Sequence, residues 1–98
     1  MPVNELHLLN MGDNGAVLST RERGRVAADQ VQEALDRGSI VINFKSVEVA
    51  SPSFLDEIVR RLGGLLRGNE DRVVVVTGAN EDVTDSLGSC LRLNLDGT

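Results

Sequence analysis

Residues 40–66, IVINFKSVEVASPSFLDEIVRRLGGLL, carry the pattern that decides the fold class. Residues 40–44 are β-branched and nearly all apolar, which is typical of a strand that is covered on both faces. Pro52 follows Ser51, and proline is favoured at the first position of a helix because its missing N–H would have no partner there. From Phe54 to Leu66, apolar residues return every three or four positions. The segment therefore predicts a buried strand, a short connection and an amphipathic helix.

A glycine pair, Gly63-Gly64, interrupts the predicted helix. Each glycine costs about 1 kcal/mol relative to alanine inside a helix. Two interpretations are open: a neighbouring backbone approaches closely at this point, or the helix ends early.

The N-terminal part of the chain predicts a β-hairpin and then a first helix. In residues 5–9 apolar side chains recur with a period near two, as in a strand, and residues 16–18 are a second short apolar segment. Residues 10–15 between them are rich in glycine, asparagine and aspartate, which favour turns. Ser19 and Glu22 form a capping-box pattern that opens the helix. Its apolar face is expected at Val26, Ala27, Val31, Ala34 and Leu35, and its end at Gly38.

The C-terminal part repeats the alternation of strand and helix. Residues 73–76 are four valines and predict a second buried strand, and Asn80 is a good cap for a third helix. Alternating leucines in residues 91–95 indicate a last short strand. The order β-β-α-β-α-β-α predicts one α/β domain over residues 1–98, with parallel central strands in a mixed β-sheet, an N-terminal hairpin and helices packed on the sheet.

Composition narrows the function classes. The chain has 98 residues, 10 basic and 15 acidic side chains, a net charge of −5 and two aromatic residues. Nucleic acid is not an expected partner, because phosphate contacts need clustered cations and base stacking needs aromatic rings. The longest apolar run is four residues, so no membrane span is predicted. The start of the chain lacks the pattern of a secretory signal, and we expect a cytoplasmic protein.

Catalytic and cofactor sites are weakly indicated. Phosphate-cradling glycine motifs are absent, and no cofactor is expected. The single histidine, His7, leaves no zinc set, and the single cysteine, Cys90, excludes an internal disulfide. Cys90 is expected to be a buried structural thiol. We therefore expect no enzyme activity, and a site that combines His7 with Cys90 is the weaker alternative.

Two groups of charged residues are candidate contacts for a partner. Arg21, Arg23 and Arg25 could grip a phosphate or a carboxylate, or they could simply form a solvated helix start. The second group consists of two pairs, Asp56 with Arg60 and Glu57 with Arg61, in which the acid precedes the base by four residues. Such pairs are typical of a solvated helix face, and they could also form a docking surface.

Ser51 and Ser53 flank the start of the central helix. Capping accounts for one of them. A phosphate on either would add about −1.5 to −2 charges at a helix start, where backbone N–H groups can receive an anion, and would change the surface with little effect on the fold.

Residues 39–55, SIVINFKSVEVASPSFL, resemble the central segment of STAS domains, the family of bacterial anti-sigma-factor antagonists. That family shows a hydrophobic strand that ends in an acid, a short loop with valine, and Asp-Ser-Ser-Gly-Leu entering an amphipathic helix. The chain is similar above all to the STAS-like branch of unknown function, in Thr20-Arg21 and in the Ser-x-Ser-Phe helix entry. The resemblance runs from Gly15 to Leu93. It implies a protein-interaction module, whose family partners are ATPase-type serine kinases that act as anti-sigma factors.

The chain departs from the family pattern at two positions. Asn43 stands where the strand carries an acid, and Pro52 stands at the usual phosphoacceptor serine. Ser53 matches the second serine of the motif, and Ser51 replaces its aspartate. The expected function is a non-catalytic regulatory module, with a homodimer also possible. Its candidate contacts are Arg21, Arg23, Phe54, Asp56, Glu57 and Arg60. The alternative is a domain that binds a nucleotide or another small anion at the helix start after Ser51.

Overall fold

The structure, a computed structural model, describes residues 4–11, 15–68 and 71–91. Strands and helices alternate along these residues. They are β1 (Asn4–His7), β2 (Val17–Leu18), α1 (Arg21–Arg37), β3 (Ile40–Asn43), β4 (Val49–Ala50), α2 (Pro52–Arg67), β5 (Val74–Thr77) and α3 (Glu81–Leu91). The α/β class and the three helices are confirmed, and the two-residue β4 is an element that the sequence pattern did not predict.

All strand pairing among the described residues is parallel. One sheet has the order β1-β3-β5, and β2 pairs separately with β4. The predicted N-terminal hairpin and mixed sheet are therefore wrong, because β1 and β2 join different sheets. The predicted last strand is wrong at Leu91, which ends α3, and its remaining positions lie outside the described residues.

The main sheet has one covered face and one open face. Leu6, Ile42 and Val76 are register neighbours on the inner face, where the helices pack; Ile42 is buried and Leu6 packs against the core, but Val76 on the edge strand is 40% exposed. On the outer face Val41 is half-buried and Val75 is 44% exposed. The expected cover on both faces of β3 is wrong, because the described helices pack against one side of the sheet. The expected burial of β5 is also wrong, because Val75 and Val76 of this edge strand are both exposed. No helix in the described part of the chain has the length and apolar character that crossing a membrane requires.

Helices α1 and α2 meet at a glycine, but not at the predicted pair. A Cβ atom on Gly24 would lie 2.7 Å from the Phe54 carbonyl oxygen, so α2 approaches the backbone of α1 at this point. At Gly63 and Gly64 a Cβ would meet no atom of the described ranges within 4 Å, and α2 continues to Arg67. The early helix end is therefore wrong, and no close backbone approach to the glycine pair is present in the described part of the chain.

The cap of α1 is Thr20 rather than the predicted Ser19. The Thr20 Oγ1 accepts a hydrogen bond from the Arg23 backbone N–H at 3.1 Å. Both neighbouring residues carry a hydroxyl, so the pattern alone does not locate the cap. The predicted helix end at Gly38 is confirmed. Val26, expected on the apolar face, is 36% exposed, and Ala28 is buried instead.

We expect Thr20→Ala to lower the free energy of unfolding by about 1 kcal/mol, because the Arg23 N–H loses its acceptor. The matched substitution is Ser19→Ala, which removes an exposed hydroxyl next to the cap. Urea denaturation of both variants gives the comparison. Equal losses in the two variants would contradict the assignment of the cap.

Candidate interaction surface

The start of α2 is built around the Ser51 hydroxyl. Ser51 Oγ accepts from the Phe54 N–H at 3.2 Å and donates to the Ser19 carbonyl oxygen at 2.8 Å. The first bond caps α2, as predicted, and the second joins α2 to the segment before α1. Because both bonds maintain the fold, a modification of this hydroxyl would disrupt the cap.

Ser53 occupies the second helical position of α2 and is half-buried. Among the described residues, no hydrogen bond to its hydroxyl is present. Of the two predicted regulatory serines, Ser53 is therefore the one whose hydroxyl makes no hydrogen bond to another described residue.

The first turn of α2 offers few amides to an anion. Pro52 has no N–H, the Phe54 N–H bonds to the Ser51 side chain, and the Leu55 N–H bonds to the Ser51 carbonyl oxygen at 3.0 Å. Ser53 supplies the one remaining N–H of this turn. Anion binding at a helix start depends on several free amides, so the arrangement disfavours the small-anion alternative.

Phe54 lies in the core and is 0% exposed. It belongs to the buried stripe of α2 together with Leu55, Ile58 and Val59. Its expected role as a contact for a partner is therefore wrong. The helical period that predicted an apolar face already included Phe54, and that face turns inward against α1.

Three arginines converge on two carboxylates where α1 and α2 meet. Arg21 Nη1 lies 3.1 Å from Asp56 Oδ2 and 3.2 Å from Glu57 Oε1. Arg25 Nε lies 3.5 Å from Glu57 Oε1, and Arg60 Nη1 lies 3.6 Å from Asp56 Oδ2. The hydrogen bonds to Asp56 and Glu57 raise the pKa of Arg21 above its ordinary value. We call these five residues the charged face.

The predicted pairs within α2 are half correct. Asp56 and Arg60 form the expected pair, with spacing of four residues. Arg61 reaches across to α1 instead, where its Nη1 lies 2.8 Å from Asp29 Oδ1 and 2.9 Å from Gln32 Oε1. The helix period places Glu57 and Arg61 within reach, but it cannot show which helix provides the better partner.

Arg23 is not part of the charged face. Its Nε donates to the Met11 carbonyl oxygen at 3.0 Å, and the residue is half-buried. Its expected grouping with Arg21 and Arg25 in one basic cluster is therefore not seen, and its role as a contact stays a prediction. Residues two apart on a helix point in different directions, whereas Arg21 and Arg25, four apart, lie on the same side.

A second polar group, which the sequence patterns did not predict, lies on the outer face of the sheet. Asn43 Nδ2 donates to Glu5 Oε2 at 3.0 Å, and His7 Nε2 lies 3.3 Å from Glu5 Oε1. The hydrogen bond from Asn43, with a smaller contribution from His7, lowers the pKa of Glu5. Asn43 Oδ1 accepts from the Lys45 N–H at 2.8 Å, so this residue also orders the turn that follows β3.

Cys90 is buried, 2% exposed, with its Sγ 3.7 Å from the Pro52 carbonyl oxygen. Burial, aided by the charge of Asp56, raises the pKa of the thiol. His7 is exposed on the outer face of the sheet, whereas α3 packs on the inner side. The structure therefore does not bring Cys90 and His7 together. Among the described residues, no three His, Cys, Asp or Glu side chains form a group that could hold a metal ion.

Comparisons of this chain with protein-family models, with curated proteins and with solved structures each found no match.

Proposed function

We propose that this chain is a non-catalytic interaction module of the STAS-like type, whose partner contacts the charged face and the start of α2. The partner class that the resemblance suggests is an ATPase-type serine kinase. The observation that carries the proposal is the Ser53 hydroxyl, which no hydrogen bond among the described residues uses, one turn before Asp56 and Glu57.

The arrangement supports a phosphate-controlled contact. Residues three and four apart on a helix are neighbours on its surface, so a phosphate on Ser53 would lie beside Asp56 and Glu57. It would add about −1.5 to −2 charges there. That charge would repel the two carboxylates and compete with them for Arg21. The change would rearrange the charged face while the buried stripe of α2 stays in place.

We expect Ser53→Asp to lower the affinity for a partner by about tenfold. A carboxylate at this position mimics part of the phosphate charge, which repels Asp56 and Glu57. The partner is isolated by pull-down with the wild-type chain, and binding is measured by titration calorimetry. The matched control is Ser53→Asn, which has nearly the same shape without the charge and should bind as the wild type does.

Incubation with serine kinases, followed by mapping of phosphosites, tests the modification itself. Phosphate on Ser53 and not on Ser51 is expected, because the Ser51 hydroxyl is held by two hydrogen bonds. If neither serine is phosphorylated and the partner binds Ser53→Asp as it binds the wild type, the regulatory part of the proposal is wrong.

A further inference from the structure

We propose that a groove beside Gly64 on α2 receives an acidic segment of the partner protein, an inference that rests on the proposed function and names the partner's chemistry. The groove is open and has a volume of about 440 Å³. Its lining consists of Glu57, Arg60, Arg61, Gly64 and Leu65. It continues the charged face towards the C-terminal half of α2.

The charge balance at the groove favours an anion. Asp56 and Glu57 are half-buried and are shared by three guanidinium groups, and Arg61 pairs with Asp29. Four arginines therefore meet three carboxylates at this place, an excess of one positive charge, although the whole chain carries −5. The side chains of Arg25 and Arg60 are 64% and 61% exposed. Their ion pairs, at 3.5 and 3.6 Å, are longer than a good charged hydrogen bond. Both arginines therefore keep outward N–H groups that can bind a further carboxylate.

Gly64 explains why a segment of chain, rather than a free ion, fits the groove. It is exposed in the middle of a helix, where glycine lowers helix stability relative to alanine, and no atom of the described residues lies within 4 Å of the position that a Cβ would take. Packing among the residues that the structure describes therefore does not require a glycine at this position. The missing side chain lets a second backbone approach α2 between Arg60 and Arg61.

The occupant must combine a negative charge with some apolar surface. The walls of the groove are guanidinium groups, and Leu65 contributes an apolar part of its lining. Guanidinium groups bind carboxylates through paired, planar N–H donors. Aspartate and glutamate side chains, each a carboxylate on a short apolar stem, meet both requirements.

The test uses the full chain labelled with ¹⁵N and a synthetic octaglutamate peptide as the probe, with octaglutamine as its uncharged control. We expect octaglutamate to shift the amide signal of Gly64 and the Nε–H signals of Arg25 and Arg60, and octaglutamine to leave them unchanged. The double variant Arg25→Gln/Arg60→Gln should weaken binding about tenfold, because each arginine loses charged hydrogen bonds. Arg37→Gln is the matched control, since Arg37 is 65% exposed on α1 and pairs with Glu33 away from the groove.

Gly64→Leu separates a binding role from a structural one. Leucine stabilises a helix relative to glycine, and its side chain would fill the groove. We expect an unfolding midpoint in urea at least as high as that of the wild type, together with loss of the octaglutamate shifts. Undiminished binding by Gly64→Leu, or equal weakening by Arg37→Gln and by the double variant, would overturn the proposal.

Binding of a protein partner isolated by pull-down tests the groove separately from the proposed function. If a partner isolated by pull-down binds the wild type and the double variant equally, the groove is not its site and the interaction function stands. If octaglutamate binds at Gly64 but no protein partner is retained, the groove is correct and the proposed function is wrong.

Discussion

Gly24→Ala is expected to lower the free energy of unfolding by about 2–3 kcal/mol. The new Cβ would lie 2.7 Å from the Phe54 carbonyl oxygen and 3.0 Å from its Cα, so the α2 backbone has to move. Alanine favours a helix by about 1 kcal/mol over glycine, and the clash outweighs this gain. Urea denaturation followed by circular dichroism measures the loss.

Gly64→Ala is the matched control, because the same substitution is made inside a helix at a position where no described residue lies within 4 Å of the new Cβ. It should raise the free energy of unfolding by about 0.5–1 kcal/mol. A destabilised Gly64→Ala, or an unaffected Gly24→Ala, would contradict the assignment of the close contact between α1 and α2 to Gly24.

Phe54→Ala is expected to cost about 3–5 kcal/mol, because it removes a fully buried ring from the core. The total free energy of unfolding of a small domain is about 5–15 kcal/mol, so this loss is a large share of the total and should lower the midpoint of thermal unfolding strongly. Thermal unfolding followed by circular dichroism is the measurement.

Phe54→Leu should lose less than Phe54→Ala, since it retains most of the buried surface. It also tests the position of this residue in the fold. A buried Phe54 predicts that Phe54→Leu, once folded, still binds the partner. Loss of partner binding without loss of stability would instead place Phe54 on the contact surface.

Local patterns predicted the elements of the fold well. The amphipathic stripe from Phe54 onward, with Pro52 at the first position, predicted α2, and the Asn80 cap predicted α3. Asn80 Oδ1 accepts from the Val83 N–H at 2.8 Å, as the cap requires. Its Nδ2 also donates to the carbonyl oxygens of Val47 and Glu48. These two hydrogen bonds reach a segment more than 30 residues earlier in the chain, and no local sequence pattern indicates them.

Strand pairing could not be predicted in the same way. Two short apolar runs separated by a turn are compatible with a hairpin, but they are equally compatible with pairing to strands far along the chain. The Val17–Leu18 segment pairs with Val49–Ala50, and a two-residue strand has too little pattern to be recognised alone. The run of four valines in residues 73–76 predicts a buried strand, but Val75 and Val76 are exposed. Composition does not show that the sheet has an open face.

The candidate site was predicted in part. Arg21, Asp56, Glu57 and Arg60 do come together, but the sequence placed Arg21 in a separate basic cluster with Arg23. The angle at which α1 crosses α2 decides which arginines reach the carboxylates. That angle depends on the close approach at Gly24, and a glycine inside a helical pattern does not show which element approaches it.

The all-parallel pairing has a consequence for how this chain folds. The register partners in the described sheets lie 32 to 36 residues apart, as with Val17 and Val49 or Asn4 and Ile40. Each pairing must close a long loop before any ladder hydrogen bond forms, which costs chain entropy. With no hairpin among the described strands to nucleate the sheet, we expect helical turns to form first. Strand pairing would follow as the rate-limiting step, and folding would be slower than in a helical bundle of similar length.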